Sequence, residues 1–166
     1  MQKKINIGDV IGLFGPTGSG KTSFLNSIAL EYSETCSISY AFQDSRLLPE
    51  LSVKENICLP LNKLLGKNQA EQEAEKWISV FQLENLKDKK AANLSGGEAQ
   101  RVNLARAFAR NGQIFLLDEP FSAQDENNKK IILDSIVKII NAGKTVLIVS
   151  HSYEDLVFLN CKILKF

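Results

Sequence analysis

Short continuous apolar runs alternate along this chain with segments in which apolar residues recur every three or four positions. Val10-Ile11-Gly12-Leu13-Phe14 is one such run, closed by a glycine-rich turn, as expected of a strand covered on both faces of a parallel sheet. The segment from about Lys21 to Tyr32 carries Phe24, Leu25, Ile28 and Ala29 at helical spacing. Ser37 to Phe42 predicts a second short strand that ends at Gln43. The polar stretch from Gly66 to Glu75 reads as a loop feeding a helix predicted over Asn68 to Gln82, with Ala70, Ala74, Trp77, Ile78 and Phe81 on one side. A stripe of that kind faces a core more often than a partner, so Trp77 is expected inside.

Glu98 to Arg110 is a further helical segment, stopped by Asn111-Gly112. Ile114-Phe115-Leu116-Leu117 then forms a continuous apolar strand ending in Asp118-Glu119, and Thr145 to Ser150 forms another ending at His151. Between them, about Glu126 to Asn141 predicts a helix presenting Ile132, Leu133, Ile136 and Ile140, with Gly143 placed to cap its end. Strands alternating with helices predict an α/β fold: three layers, with a mainly parallel sheet between helices. In such folds ligands sit beyond the carboxyl ends of the strands.

Composition changes this picture little. At 166 residues the chain has the length of one domain, and 44% hydrophobic against 23% charged residues is ordinary for a globular protein. A net charge of +1 offers no electrostatic footprint for nucleic acid, so an acidic ligand must be held by local geometry. Cys36, Cys58 and Cys161 are scattered, without a C-x-x-C pair, and read as reduced thiols of a cytosolic chain rather than disulfides or zinc ligands. Met1 to Asn6 lacks the apolar core of a secretory signal, and no apolar run approaches the ~20 residues needed to span a bilayer. Any service to a membrane is expected to run through a partner. No internal repeat or low-complexity tract is present.

Gly15-Pro16-Thr17-Gly18-Ser19-Gly20-Lys21-Thr22 fits the phosphate-loop pattern G-x-x-x-x-G-K-[ST] at every fixed position, after a predicted strand and before a predicted helix. Glycines there let backbone N–H groups converge on a phosphate, the helix end adds positive potential, Lys21 reaches β/γ oxygens and Thr22 offers a hydroxyl to Mg²⁺. Asp118, at the end of a core strand, can hold the Mg²⁺ shell, and Glu119 beside it can polarise an attacking water. An isolated Asp-Glu pair is more often a solvated strand end, but here the pair follows an apolar strand in a phosphate-loop chain.

Leu94-Ser95-Gly96-Gly97-Glu98 reads first as a helix start, with Ser95 as N-cap and Glu98 completing a capping box. That local role leaves the two adjacent glycines unexplained. Paired glycines at a positive helix end leave N–H groups open to an anion, and a second phosphate surface in one small domain implies a nucleotide shared between two copies.

The order of these segments resembles the ATP-binding-cassette ATPases: the loop at Gly15 to Thr22, a lone Gln43, Leu-Ser-Gly-Gly-Glu, Ile114 to Glu119, Ser122-Ala123-Gln124-Asp125, and His151. The resemblance covers about Gly8 to the C-terminus. It implies a single nucleotide-binding domain over 1–166, with a phosphate-loop core at about 8–45 and 111–166 and a helical subdomain at about 46–110 carrying the signature. It implies ATP and Mg²⁺ as ligands, with Gly15 to Thr22 and Gln43 binding the nucleotide and Thr22, Gln43 and Asp118 facing the metal. Glu119 is then the general base, His151 holds the γ-phosphate and Lys21 completes the catalytic set. Ser95, Gly96, Gly97 and Glu98 serve the nucleotide bound by a partner copy or a paralogous cassette, and Asp125 lies on the dimer-crossing loop. The implied setting is the cytoplasmic face of a membrane, where a permease contacts the groove around Gln43 to Leu59. Phe42 to Pro49, Asp118 to Ser122 and the tail from His151 through Leu156 look most like the ATPases of nitrate, sulfonate and taurine importers.

Three departures from the family pattern carry expectations of their own. The chain opens almost directly at the strand before the phosphate loop, without the antiparallel segment whose aromatic residue stacks on adenine. Lys21 and Gln43 stand too close for the usual intervening hairpin, and Gln124 replaces the usual Leu of the dimer-crossing loop. Weak adenine binding and a weakened dimer are expected, with the phosphate chemistry complete. Other classes remain: a cassette ATPase acting on DNA or the ribosome, a degenerate cassette that binds nucleotide to regulate a partner, and a small-molecule phosphoryl-transfer enzyme. The first lacks a basic patch, and the last has no use for Leu94 to Glu98.

Overall fold

The computed structural model describes residues 5–166. Five strands, β1 (Val10–Phe14), β2 (Ile38–Ala41), β3 (Ile114–Asp118), β4 (Thr145–Val149) and β5 (Lys162–Lys165), form one sheet in the order β2-β3-β4-β1-β5. Every pairing is parallel, with Leu13 opposite Val149 and Asp118 opposite Val149 from the other side. Six helices connect and flank the strands: α1 (Lys21–Tyr32), α2 (Val53–Leu65), α3 (Lys67–Val80), α4 (Gly96–Arg110), α5 (Glu126–Asn141) and α6 (Tyr153–Phe158).

Alternation along the strands divides the core in two. Leu13, Leu116, Leu147 and Val149 face α1, where Leu25 and Ile28 cover them. Phe115, Leu117, Val146 and Ile148 face the other way, onto α4, α5 and Leu156 of α6. Both faces of β3 and β4 are therefore buried, which is why these strands are apolar without interruption. The second core continues without a break into α2 and α3 through Phe108 and Phe81, whose rings lie 5.7 Å apart. Trp77 packs against Phe108 at 5.3 Å, as its stripe predicts.

Several elements differ from expectation. The strand predicted over Ser37 to Phe42 is shorter, and the helix predicted from Glu98 begins at Gly96. Gly66 to Glu75 is not a feeding loop: α3 starts at Lys67, and its polar residues are the solvent side of a helix whose Ala70 and Ala74 are fully buried. Helix α2 was not predicted, since Pro60 lies inside it and Asn56 occupies a buried position. Asn56 stays satisfied there by bonding the loop before the helix, accepting from Leu48 N–H at 2.8 Å and donating to the Leu48 and Ser52 carbonyls.

The connections place the functional cleft. β1 leads through α1 to β2 at one edge, whereas its neighbour β4 leads through α6 to β5 at the other. Chain paths diverge between β1 and β4, and such a switch point opens a crevice at the carboxyl ends of the strands.

Candidate active site

At the end of β1 the chain turns through Gly15 to Gly20 into α1. Gly20 caps that helix with φ 97°, a left-handed conformation that costs glycine little and a β-carbon-bearing residue more. No acidic residue sits in the first turn, so the positive end of α1 is uncompensated and open to an anion. Lys21 is 6% exposed and bridges its own loop, donating to the carbonyls of Gly15 at 2.8 Å and Pro16 at 2.7 Å. An ammonium group has three donors, and one remains for a ligand.

One cleft is lined by Thr17, Gly18, Gly20, Lys21, Thr22, Gln43, Asp118, Glu119 and His151. The structure thus brings the loop, the paired carboxylates, the glutamine and the histidine together from the ends of β1, β2, β3 and β4. Asp118 is buried, and its Oδ1 has no hydrogen-bond partner in the protein. Burial pushes its carboxyl above the usual aspartate range, while the Thr22 hydroxyl and the Lys21 ammonium oppose that shift. A buried carboxylate oxygen without a partner, beside a hydroxyl, fits a hard cation with oxygen ligands such as Mg²⁺.

Glu119 follows at φ 51°, a backbone conformation few glutamates adopt. Its N–H donates to Val149 O at 3.1 Å and its carbonyl accepts from Ser122 N–H at 3.1 Å, so both sides of the residue are fixed. Strain held by its surroundings in this way marks functional positions. Burial raises the Glu119 carboxyl, the adjacent Asp118 charge adds to the rise, and the nearby His151 opposes it. His151 Nε2 lies 3.1 Å from Glu119 Oε1, at ion-pair distance but without the alignment of a hydrogen bond. A carboxylate raised toward neutrality beside an imidazole suits a general base.

Ser95 to Glu98 lie outside this cleft. Ser95 Oγ accepts from Glu98 N–H at 3.3 Å, and Ser95 N–H donates to Glu98 Oε2 at 2.8 Å, so the capping box is complete. The two glycines have different reasons. A Cβ on Gly97 would stand 2.8 Å from the Ala123 carbonyl, so glycine is required for that close approach. A Cβ on Gly96 would meet nothing within 4 Å, and this first-turn residue is exposed. Asp125 caps α5, accepting from Asn128 N–H at 2.8 Å.

Sequence reasoning missed the polar face of α4. Asn103 donates to Phe42 O at 2.7 Å, Arg106 to Ser45 O at 2.8 Å and Arg46 O at 3.0 Å, and Arg110 to Ile38 O at 2.7 Å. These residues recur at helical spacing, which was the available signal. They grip both sides of Gln43.

No aromatic side chain lines the cleft among the described residues. Tyr40 stacks on Phe42 at 3.9 Å and donates to Asn26 Oδ1 at 2.9 Å, and the Tyr32 hydroxyl points to Ile5 O at 3.5 Å. Base stacking on an aromatic ring contributes roughly 1–3 kcal/mol, about one to two decades in affinity. The 166-residue chain is therefore expected to bind ATP weakly and to discriminate little between ATP, GTP and a base-free triphosphate, all with Mg²⁺. Titration of all three checks this, and a strong preference for ATP would mean that an adenine pocket exists elsewhere.

A parallel sheet, a glycine loop leading into a helix and a strand-end carboxylate define a phosphate-loop nucleotide-binding protein. The chain belongs to the ABC transporter family, whose model matches residues 1–122. It is 35% identical to an aliphatic sulfonates import ATP-binding protein of Corynebacterium glutamicum over 93% of this chain and 68% of that one. It is also 36% identical to a thiamine import ATP-binding protein of Shigella flexneri, over 89% of this chain and 72% of that one. A macrolide export ATP-binding/permease protein of Campylobacter jejuni is 35% identical, and there the chain spans 27% of the relative's length. Among solved structures, the dimeric structure of a bacterial ABC transporter cassette superposes with a TM-score of 0.87 at 29% identity, covering 98% of this chain and 83% of that one. A post-hydrolysis state of that cassette, bound to ADP and Pi, gives 0.88 at 28%.

Proposed function

We propose that this chain is the ATP-binding and ATP-hydrolysing subunit of a transporter, working as a head-to-tail pair that encloses two ATP·Mg²⁺. The observation that carries the reading is the meeting of the phosphate loop, Asp118, the left-handed Glu119 and His151 in one cleft, with the exposed turn at Ser95 and Gly96 outside it. A chain with a hydrolytic cleft and, outside it, a second glycine-bearing helix start whose only first-turn acid is held back by the Ser95 N–H is matched by a second copy that offers its own turn to the first copy's nucleotide.

Backbone N–H groups of Gly15 to Thr22 and the Lys21 ammonium hold the β- and γ-phosphates. Thr22, Gln43 and Asp118 would hold Mg²⁺, which supplies charge neutralisation at the β- and γ-oxygens when bound. Glu119 takes the proton from the attacking water, and His151 fixes the γ-phosphate at the mouth of the cleft. Ser95 and Gly97 of the other copy close the site over the γ-phosphate.

Within this reading, 8–45 and 111–166 form the nucleotide core and 46–110 the helical arm. The groove around Gln43 to Leu59 takes a membrane-embedded permease from the cytoplasmic side. No helix among the described residues is long and apolar enough to cross a membrane.

Mixing two inactive chains tests the shared site. Ser95→Arg and Lys21→Ala are each expected to be inactive alone. Their heterodimer has one doubly damaged site and one intact site, so activity returns on mixing. No recovery, with heterodimers demonstrated, would overturn the composite arrangement.

A further inference from the structure

Gln124 stands in the loop between β3 and α5, and its amide Nε2 donates to Gly97 O at 3.2 Å and to Ser122 O at 3.3 Å. The same loop also crowds the same glycine, because Ala123, in a left-handed conformation at φ 57°, leaves its carbonyl oxygen 2.8 Å from where a Gly97 Cβ would stand. Ser122 in turn donates its N–H to Glu119 O at 3.1 Å. A short covalent and hydrogen-bonded path therefore joins the turn at Gly97 to the backbone of Glu119 within one chain.

We propose that Gln124 is a positioning residue that sets the signature turn of its own chain against the loop leaving Glu119, and so acts on the nucleotide bound by the partner. The inference rests on the composite-site reading above. An apolar residue at this position could pack beside Gly97 but could not hold its carbonyl, whereas the amide fixes the peptide that follows the open N–H groups of Gly96 and Gly97. Arg101 braces the same unit, donating to Asn128 Oδ1 at 2.9 Å in the first turn of α5. With the turn held at both its carbonyl and its helix, less of the signature's freedom is lost when it closes on a phosphate.

The test uses the heterodimer of Lys21→Ala and Ser95→Arg chains, in which the single live site combines the loop of the Ser95→Arg chain with the signature of the Lys21→Ala chain. Gln124→Leu placed on the Lys21→Ala chain is expected to lower turnover at the live site about fivefold, the worth of one ordinary hydrogen bond. The same substitution placed on the Ser95→Arg chain acts on a signature already disabled and is expected to cost less than half as much. Gln124→Glu keeps the shape and removes the donor, so on the Lys21→Ala chain its loss is at least as large as that of Gln124→Leu. Equal losses in both placements, or full activity of Gln124→Glu, would overturn the assignment. If the heterodimer without any Gln124 change is inactive, the composite-site reading has failed, and this assignment fails with it.

Discussion

Glu119→Gln is expected to lower turnover by about 10²–10⁴-fold while leaving nucleotide binding intact, the range lost when a positioned general base is removed. The amide keeps the side chain's shape, so contacts made by the left-handed backbone at Val149 and Ser122 are undisturbed. What disappears is basicity. The amide also removes a negative charge that would repel the incoming triphosphate, so affinity for ATP should rise if it changes at all. An ATP-bound dimer should accumulate, visible by size exclusion with ATP·Mg²⁺. Activity near that of the parent would show that another group takes the proton. In the parent, the acid limb of the pH profile should lie above the ordinary glutamate range, because burial raises the group that must be ionised.

A second large effect is expected at Asp118, with opposite signs for activity and stability. Asp118→Asn should lower Mg²⁺-dependent hydrolysis by about 10–100-fold, the range for residues that orient a metal's shell. The same change should stabilise the ligand-free chain at pH 7. Burial raises the Asp118 carboxyl above its ordinary value of 3.8, so its charged form costs folding free energy at every pH above the raised value. Below 3.8 both folded and unfolded chains hold the proton, and the cost is gone. Each kcal/mol of that charge cost moves the melting temperature of a domain this size by roughly 2–4 °C. Thermal melts of parent and variant should therefore separate at pH 7 and converge as the pH falls toward that ordinary aspartate value. A variant less stable than the parent at pH 7 would mean that Asp118 is satisfied by the protein itself.

What could be read from the sequence followed from how local each cause is. β1, α1 and α5 are bounded as predicted because a residue's neighbours decide them: apolar runs, helical spacing, and Gly143 at φ 74° after α5. Helix α2 is decided elsewhere. Its Pro60 and buried Asn56 argue against a helix until the loop that Asn56 satisfies is in place, although Ser52 and Glu55 spell the same capping box as Ser95 and Glu98. β5 escaped notice because a lysine stands at each end of only two apolar residues, as suits a sheet edge. The phosphate loop and the carboxylate pair were legible because each lies on one turn or strand end. The need for glycine at 97 was not, since it comes from a carbonyl 26 residues away across a tertiary contact.

The grip of α4 on the loop around Gln43 has a mechanical consequence. Asn103, Arg106 and Arg110 are fixed along one rigid helix, and each holds a backbone carbonyl between Ile38 and Arg46. Arg106 is part-buried, and that burial lowers its pKa. Four hydrogen bonds from three side chains of one helix tie the loop on both sides of Gln43 to α4. That helix is about 22 Å long by its rise of 1.5 Å per residue, and its far end is the turn at Ser95. The loop around Gln43 and the turn at Ser95 are thus two attachments of a single helix.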